Sequence, residues 1–260
     1  MLNYHISHPS DLTDSEWQVI APLLNTKRKR AYSVRSILNA IFYVLKTGCQ
    51  WRCLPCSYPP FALVHYYKQK WSRNKLIEHI SARLNMRYRK ALDRPVLPSV
   101  CLIDAQCVKN SLWGAEEPGF DGYKKVQGYK RHVICDAQGL IQLASYTSAR
   151  QHDGSVGIKL LEALAKQGIS RIKRIEADQA YKACKEICEK EGWTLNITGG
   201  LKKKGLGFKL QPQRWKIERV FAWMGYYRRL TRYYERKTET AIAWVYLFNI
   251  RRCLKLLTAT

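Results

Sequence analysis

Asp104 closes the short apolar run in "LIDAQ", Asp178 closes that in "IEADQAY", and Glu218 stands among arginines and aromatics in "RWKIERVFAWMGYYRRL". Carboxylates at strand ends of an open mixed sheet lie at the edge where such sheets bind ligands and do chemistry. With Glu218 on a helix packed beside that sheet, three acids can converge from distant positions without a local metal-binding repeat. Scattered oxygens of this kind suit magnesium. Taken singly, each aspartate reads equally well as a loop start or a helix cap. Glu218 alone reads as an ion-pair partner of Arg214 at i−4, worth roughly 0.3 kcal/mol when exposed. On a helical wheel, however, Arg214, Glu218, Ala222, Gly225 and Arg229 share one stripe. Ile217, Val220, Phe221, Met224 and Leu230 make much of the remaining surface apolar. The small residues of the stripe leave room for a phosphate backbone.

Other acids compete for these roles. Glu176 precedes Asp178 by two residues and shares its strand face. Asp136 sits in a "DAQG" turn, a common place for aspartate, and Asp153 in "RQHDG" is expected to cap the helix that begins near Gly154. His132 and His152 read as structural residues or phosphate contacts. Nine cysteines form no regular framework and read as reduced thiols. Cys49, Cys53 and Cys56 cluster, with His65 as a fourth group, but their irregular spacing favours ordinary thiols over zinc.

These residues need elements to position them. Residues 1–93 read as an all-helical, helix-turn-helix-like domain. A capping box at Thr13 and Glu16 starts one helix, Gly48 ends a second after "SVRSILNAIFYVLKT", and the segment from Phe61 forms one long or two short helices. The prolines of "DRPVLPS" mark a boundary near Arg94. Residues 94–260 then alternate strand and helix after three early strands, which predicts an α/β domain with a mixed sheet flanked by helices.

A net charge of +25, from 45 Lys and Arg against 20 Asp and Glu, favours a polyanionic partner, nucleic acid first. Aromatics at 12% and hydrophobics at 46% exclude a disordered basic tail. No apolar run reaches the roughly 18 residues of a membrane span, and the N-terminus lacks the apolar core of a secretory signal, so a cytoplasmic location without membrane partners is expected. Candidate DNA contacts are Lys124, Lys125, Lys130 and Arg131 on one basic stretch, Lys202 to Lys204 in a glycine loop, and Arg228, Arg229 and Arg232 after the third acid. Arg35, Lys68, Lys70 and Arg73 are candidates for base readout from the helical domain.

The segments "LIDAQCVK", "GYKKVQGYKRHVICDAQGL", "RQHDG", "IEADQAY" and "RWKIERVFAWMGYYRRL", in this order, resemble bacterial insertion-sequence transposases with an Asp-Asp-Glu site, in the insertion sequence five family. "LTDSEWQVIAPLL" and "YVLKTGCQWRCLP" resemble that family's helical N-terminal region. The resemblance runs from about residue 11 to 252. It implies a ribonuclease H-like catalytic domain, two magnesium ions with manganese able to substitute, and cutting and joining at terminal inverted repeats. Asp104, Asp178 and Glu218 match the catalytic, metal-holding acids, and Arg214 matches the arginine four residues before the glutamate. Double-stranded DNA, both transposon ends and target, is the implied partner, with a homodimer in the synaptic complex and association with the nucleoid. Gln211 stands where the family has tyrosine, Gly225 where it has lysine, and Cys107 where a serine is usual. A DNA-binding regulator or domesticated derivative without cleavage is the alternative. A nuclease of RNA–DNA hybrids fits less well, because it would not need the helical region or the basic loop.

Overall fold

The computed structural model describes residues 8–24, 26, 29–111, 118–198 and 214–259. Four helices come first: α1 (Asp14–Ile20), α2 (Val34–Thr47), α3 (Phe61–Arg73) and α4 (Leu76–Ala91). The capping box at α1 forms as the sequence predicts: the Glu16 amide donates to the Thr13 hydroxyl at 3.2 Å, and the Thr13 amide donates to the Glu16 carboxylate at 3.0 Å. The segment from Phe61 becomes two helices, because Lys75 turns the chain through a left-handed conformation at φ 57°.

A seven-stranded mixed sheet follows, built from β1 (Val100–Asn110), β2 (Gly119–Asp121), β3 (Val126–Asp136), β4 (Ile141–Ser148), β5 (Arg174–Ala177), β6 (Thr194–Ile197) and β7 (Arg232–Tyr233). β3 runs antiparallel to β1 on one edge and to β2 and β4 on the other. β5 lies parallel to β1 and to β6, and β7 adds a short parallel pairing at the end of β1. Helices α5 (Asp153–Ala165), α6 (Lys185–Lys190), α7 (Arg214–Gly225) and α8 (Thr238–Thr258) complete the chain.

Strand alternation sends Cys101, Ile103 and Ile134 to one face, against Val156, Leu160 and Leu161 of α5. Leu102, Val108 and Val133 face the other way, into a core shared with α7, α8 and the first four helices. The apolar packing therefore does not divide at Arg94. α8 explains why: Trp244, Val245, Leu247, Phe248 and Ile250 are all buried, each stabilising by about 1.5–3 kcal/mol. Polar bridges fix its register. The Asn249 side chain donates to Ser81 and Asn85 of α4, at 2.8 Å each, and accepts the Ile141 amide of β4 at 3.1 Å. Asp136 does serve its turn, accepting the Gln138 and Leu140 amides, and it also pairs with Arg89 of α4.

Lys68 is a correction to the expectation from sequence. Its side chain is buried, with the ammonium donating to the Thr240 carbonyl at 2.7 Å, 3.6 Å from Glu235 and over the Trp244 ring, so it cannot reach a base edge. Burial lowers its pKa to about 8, which leaves it charged at neutral pH. Burial raises the Glu235 carboxyl, but Lys68 and Arg229 outweigh that and hold it at about 2. A carboxylate depressed from 4.5 contributes stability above pH 4.5 that is lost as pH falls towards 2. Glu235→Gln should therefore destabilise the protein by about 3 kcal/mol at pH 7. Denaturant titrations of the two proteins should converge as the pH is lowered from 4.5 to 2, and a gap independent of pH would refute the ion-pair account.

Candidate active site

Asp104 lies within β1, not at its end as expected, because pairing with β3 carries the strand on to Asn110. The edge that matters is set by the shorter neighbour. β5 pairs Arg174, Ile175 and Glu176 with Val100, Cys101 and Leu102, and it ends at Ala177. Continuing that register by two residues sets Asp178 beside Asp104, at a notch where β1 outruns β5. Each lies two residues beyond the Leu102–Glu176 pair, so both share its face, the one on which α7 and α8 pack.

Asp178 also caps the 3-10 turn Gln179–Cys184, accepting the Ala180 amide at 2.9 Å. The cap uses one carboxylate oxygen, Oδ1, and leaves the other outside that hydrogen bond. Asp104 accepts the Ala105 amide at 2.7 Å. Burial raises its pKa to about 6; the Ala105 hydrogen bond opposes the rise, Asp178 adds to it, and Arg214 and Lys124 counter it. Two neighbouring carboxylates, one made hard to ionise partly by the other, suit a hard divalent cation.

Glu218 stands apart from this pair. α7 buries Ile217, Val220, Phe221 and Met224, which turns Glu218 outward with 57% of its side chain exposed and 3.4 Å from Arg214. Among the described residues no three His, Cys, Asp or Glu side chains are grouped to hold a metal ion. Gly225 ends α7, so Arg229 falls in a separate turn, Arg228–Leu230, off the stripe predicted for it. The stripe that remains is open, and a Cβ at Gly225 would meet nothing within 4 Å.

The rival acids have other occupations. Glu176 is buried, pairs with Arg174 at 2.8 Å and accepts from Asn196 at 2.7 Å. The helix cap expected of Asp153 is supplied by His152, whose Nδ1 accepts the Gly154 amide at 3.2 Å, while Asp153 pairs with Lys130 at 3.0 Å. His132 is buried against Thr147, and burial lowers its pKa to about 4, so it is neutral at pH 7. All nine cysteines are free thiols.

The basic residues divide into two groups. Lys130 is held between Asp153, Asp121 and the Gln151 carbonyl. Arg131 is 2% exposed and donates to Gln106, to Tyr146 and, at 3.0 Å, to the Leu230 carbonyl. Arg229 pairs with Glu235 at 2.6 Å among the rings of Trp51, Tyr234 and Trp244. These three are used within the fold and offer DNA no free cation. Lys124, Lys125, Arg228 and Arg232 are exposed, and Arg214 is partly so. Lys202 to Lys204 and Gln211 lie outside the described residues. Asp121 is a residue that sequence reasoning missed. It accepts the Tyr123 and Lys124 amides at 3.0 Å and the Cys107 thiol at 2.8 Å, fixing the turn that presents Lys124 to the site. Its signal was the Asp-Gly pair before the lysines.

Residues 12–81 match the family described as "Putative transposase of IS4/5 family", and residues 95–250 match "Transposase DDE domain". The second match takes in both aspartates and α7, on a mixed sheet ordered β4-β3-β1-β5-β6 that is ribonuclease H-like. A similar curated protein is the "Putative transposase for insertion sequence element IS402" of Burkholderia cepacia, 25% identical over 139 residues, which cover 51% of this chain and 66% of that protein. The chain thus spans just under two thirds of that relative's length. No solved structure matches at comparable significance. The chain belongs to the transposases with a DDE domain, in the IS4/5 group of insertion sequences.

Proposed function

We propose that the protein binds the terminal inverted repeats of an insertion sequence and catalyses divalent-metal-dependent DNA strand cleavage and strand transfer there. The observation that carries this reading is the β1–β5 register, which aligns Asp104 with Asp178 on the face that α7 covers. Magnesium or manganese held by these carboxylates, with Glu218 as the third, would activate an attacking oxygen and stabilise a leaving one.

The chain's own residues have distinct roles. Arg214 spreads its charge between Glu218 and Asp104, at 3.4 Å from the former and through its field on the latter. A DNA phosphate drawn to Arg214 would compete for that guanidinium and free Glu218 to turn towards the aspartates. Lys124, Lys125, Arg228 and Arg232 provide exposed cations for the flanking backbone. The attacking group is water in the first step and the released 3′-hydroxyl in the second. Two ends must be held together for joining, which makes a dimer the working assembly.

Asp104→Asn, Asp178→Asn and Glu218→Gln should each reduce nicking of an inverted-repeat duplex in magnesium by at least about a thousandfold, on the order of 4 kcal/mol. End binding should stay within about twofold. End binding without nicking by the wild-type chain would instead favour a regulator. Near-normal nicking by one variant removes that residue from the site.

The raised pKa of Asp104 gives a separate expectation. Its favourable contribution to folding is complete below 3.8 and is lost as pH rises through about 6. Asp104→Asn should therefore stabilise the metal-free protein at pH 8 by up to roughly 3 kcal/mol. The advantage should vanish below pH 4, and unchanged melting temperatures at pH 8 would contradict it. Duplex affinity should fall with salt at a logarithmic slope of about −0.9 per phosphate neutralised, and a flat titration would count against DNA as the partner.

A further inference from the structure

A cavity of about 290 Å³ opens between the approach to α2 and the outer side of α3. Lys29, Arg30, Tyr32, Tyr66, Tyr67 and Lys70 form its walls, over a floor of Ile37 and Leu63, and among the described residues no acid lines it. The aromatic wall is braced from behind. Trp71 packs edge-on to Tyr67 at 5.4 Å, Tyr67 packs edge-on to Tyr66 at 5.5 Å, and Arg30 donates to the Tyr67 hydroxyl at 3.2 Å. Tyr66 and Tyr32 remain 51% and 41% exposed, with the Lys70 ammonium 5.9 Å from the Tyr66 ring centre.

Rings with open surface, an apolar floor and cations at the rim make a stacking platform beside a phosphate clamp. An intact duplex cannot use it, because its bases are stacked inside and it offers the cavity only phosphates on a convex surface. A single strand offers both a free base face and a phosphate. We infer that this cavity binds one unpaired nucleotide of a DNA strand, with its base against Tyr66 or Tyr32 and its phosphate near Lys29 and Lys70. The inference rests on the proposed DNA partner but not on cleavage. It adds to the helical region a site that reads whether DNA is paired.

The test compares two labelled duplexes by fluorescence anisotropy with the full chain: one blunt, the other carrying a short thymidine tail that contains one 2-aminopurine. The wild type should bind the tailed duplex about tenfold more tightly, within the range of base–aromatic stacking, and should quench the 2-aminopurine. Tyr66→Ala combined with Tyr32→Ala should abolish both effects and leave blunt-duplex affinity within about twofold. Tyr66→Phe combined with Tyr32→Phe should keep both effects. Thermal melting checks that each variant is folded. Equal wild-type affinity for tailed and blunt DNA, or a tail preference that survives the double alanine change, overturns the inference. Tail preference without nicking of the ends would sink the transposase reading and leave this one standing, and nicking without tail preference would do the reverse.

Discussion

The parallel pairing of β1 with β5 determines where negative charge can gather in this protein. β1 is long because β3 matches it residue for residue, and β5 is short because Asp178 turns the chain into a 3-10 cap. The mismatch leaves a notch with one carboxylate on each side. A one-residue slip would put the two acids on opposite faces, so the apolar residues that fix the register also fix the placement of the two carboxylates. Cys101, Ile103 and Ile175 on one face and Leu102 and Val133 on the other are buried for this purpose as much as for stability.

Part of the positive charge works inside the molecule. Lys68 and Arg229 converge on Glu235, Arg251 on Glu16 and Arg89 on Asp136, and each pair links the first four helices to the rest of the chain or braces the segment after α7. That segment is clamped further. A Cβ at Gly48 would come within 2.9 Å of Arg228, and Lys46 donates to the Tyr226 carbonyl at 3.0 Å. Removing one partner from such a buried pair leaves an uncompensated charge and costs several-fold more than an exposed pair contributes. The segment that follows α7 is thereby held to α2.

Local signals explain what was legible in the sequence. The Thr13 box, the Gly48 stop, the strand ending beside Asp178 and the mixed sheet all follow from residue types at short spacing. Exposure of a cation does not. Lys130, Arg131 and Arg229 sit in basic runs indistinguishable from those of Lys124 or Arg228, and they are taken up within the fold because Asp153, the Leu230 carbonyl and Glu235 meet them there. The Asp153 cap failed for a smaller reason: the helix starts one residue earlier, so His152 is the cap and Asp153 its first helical residue. The continuous core across Arg94 was equally hidden, since it depends on α8 returning from the C-terminal end.

The acidic notch costs stability, and the fold limits that cost without cancelling it. Burial and Asp178 both oppose ionisation of Asp104, while Arg214 and Lys124 offset only part of that opposition. A stronger counter-charge would lower the pKa further but would also compete with any cation for the carboxylates. The two neutralising groups are suited to partial compensation, since Lys124 is exposed on a tight turn and Arg214 is shared with Glu218. Neither belongs to the buried ion pairs that tie the helices together. The partly solvated charges are thus at the notch, and the buried ion pairs are in the joints.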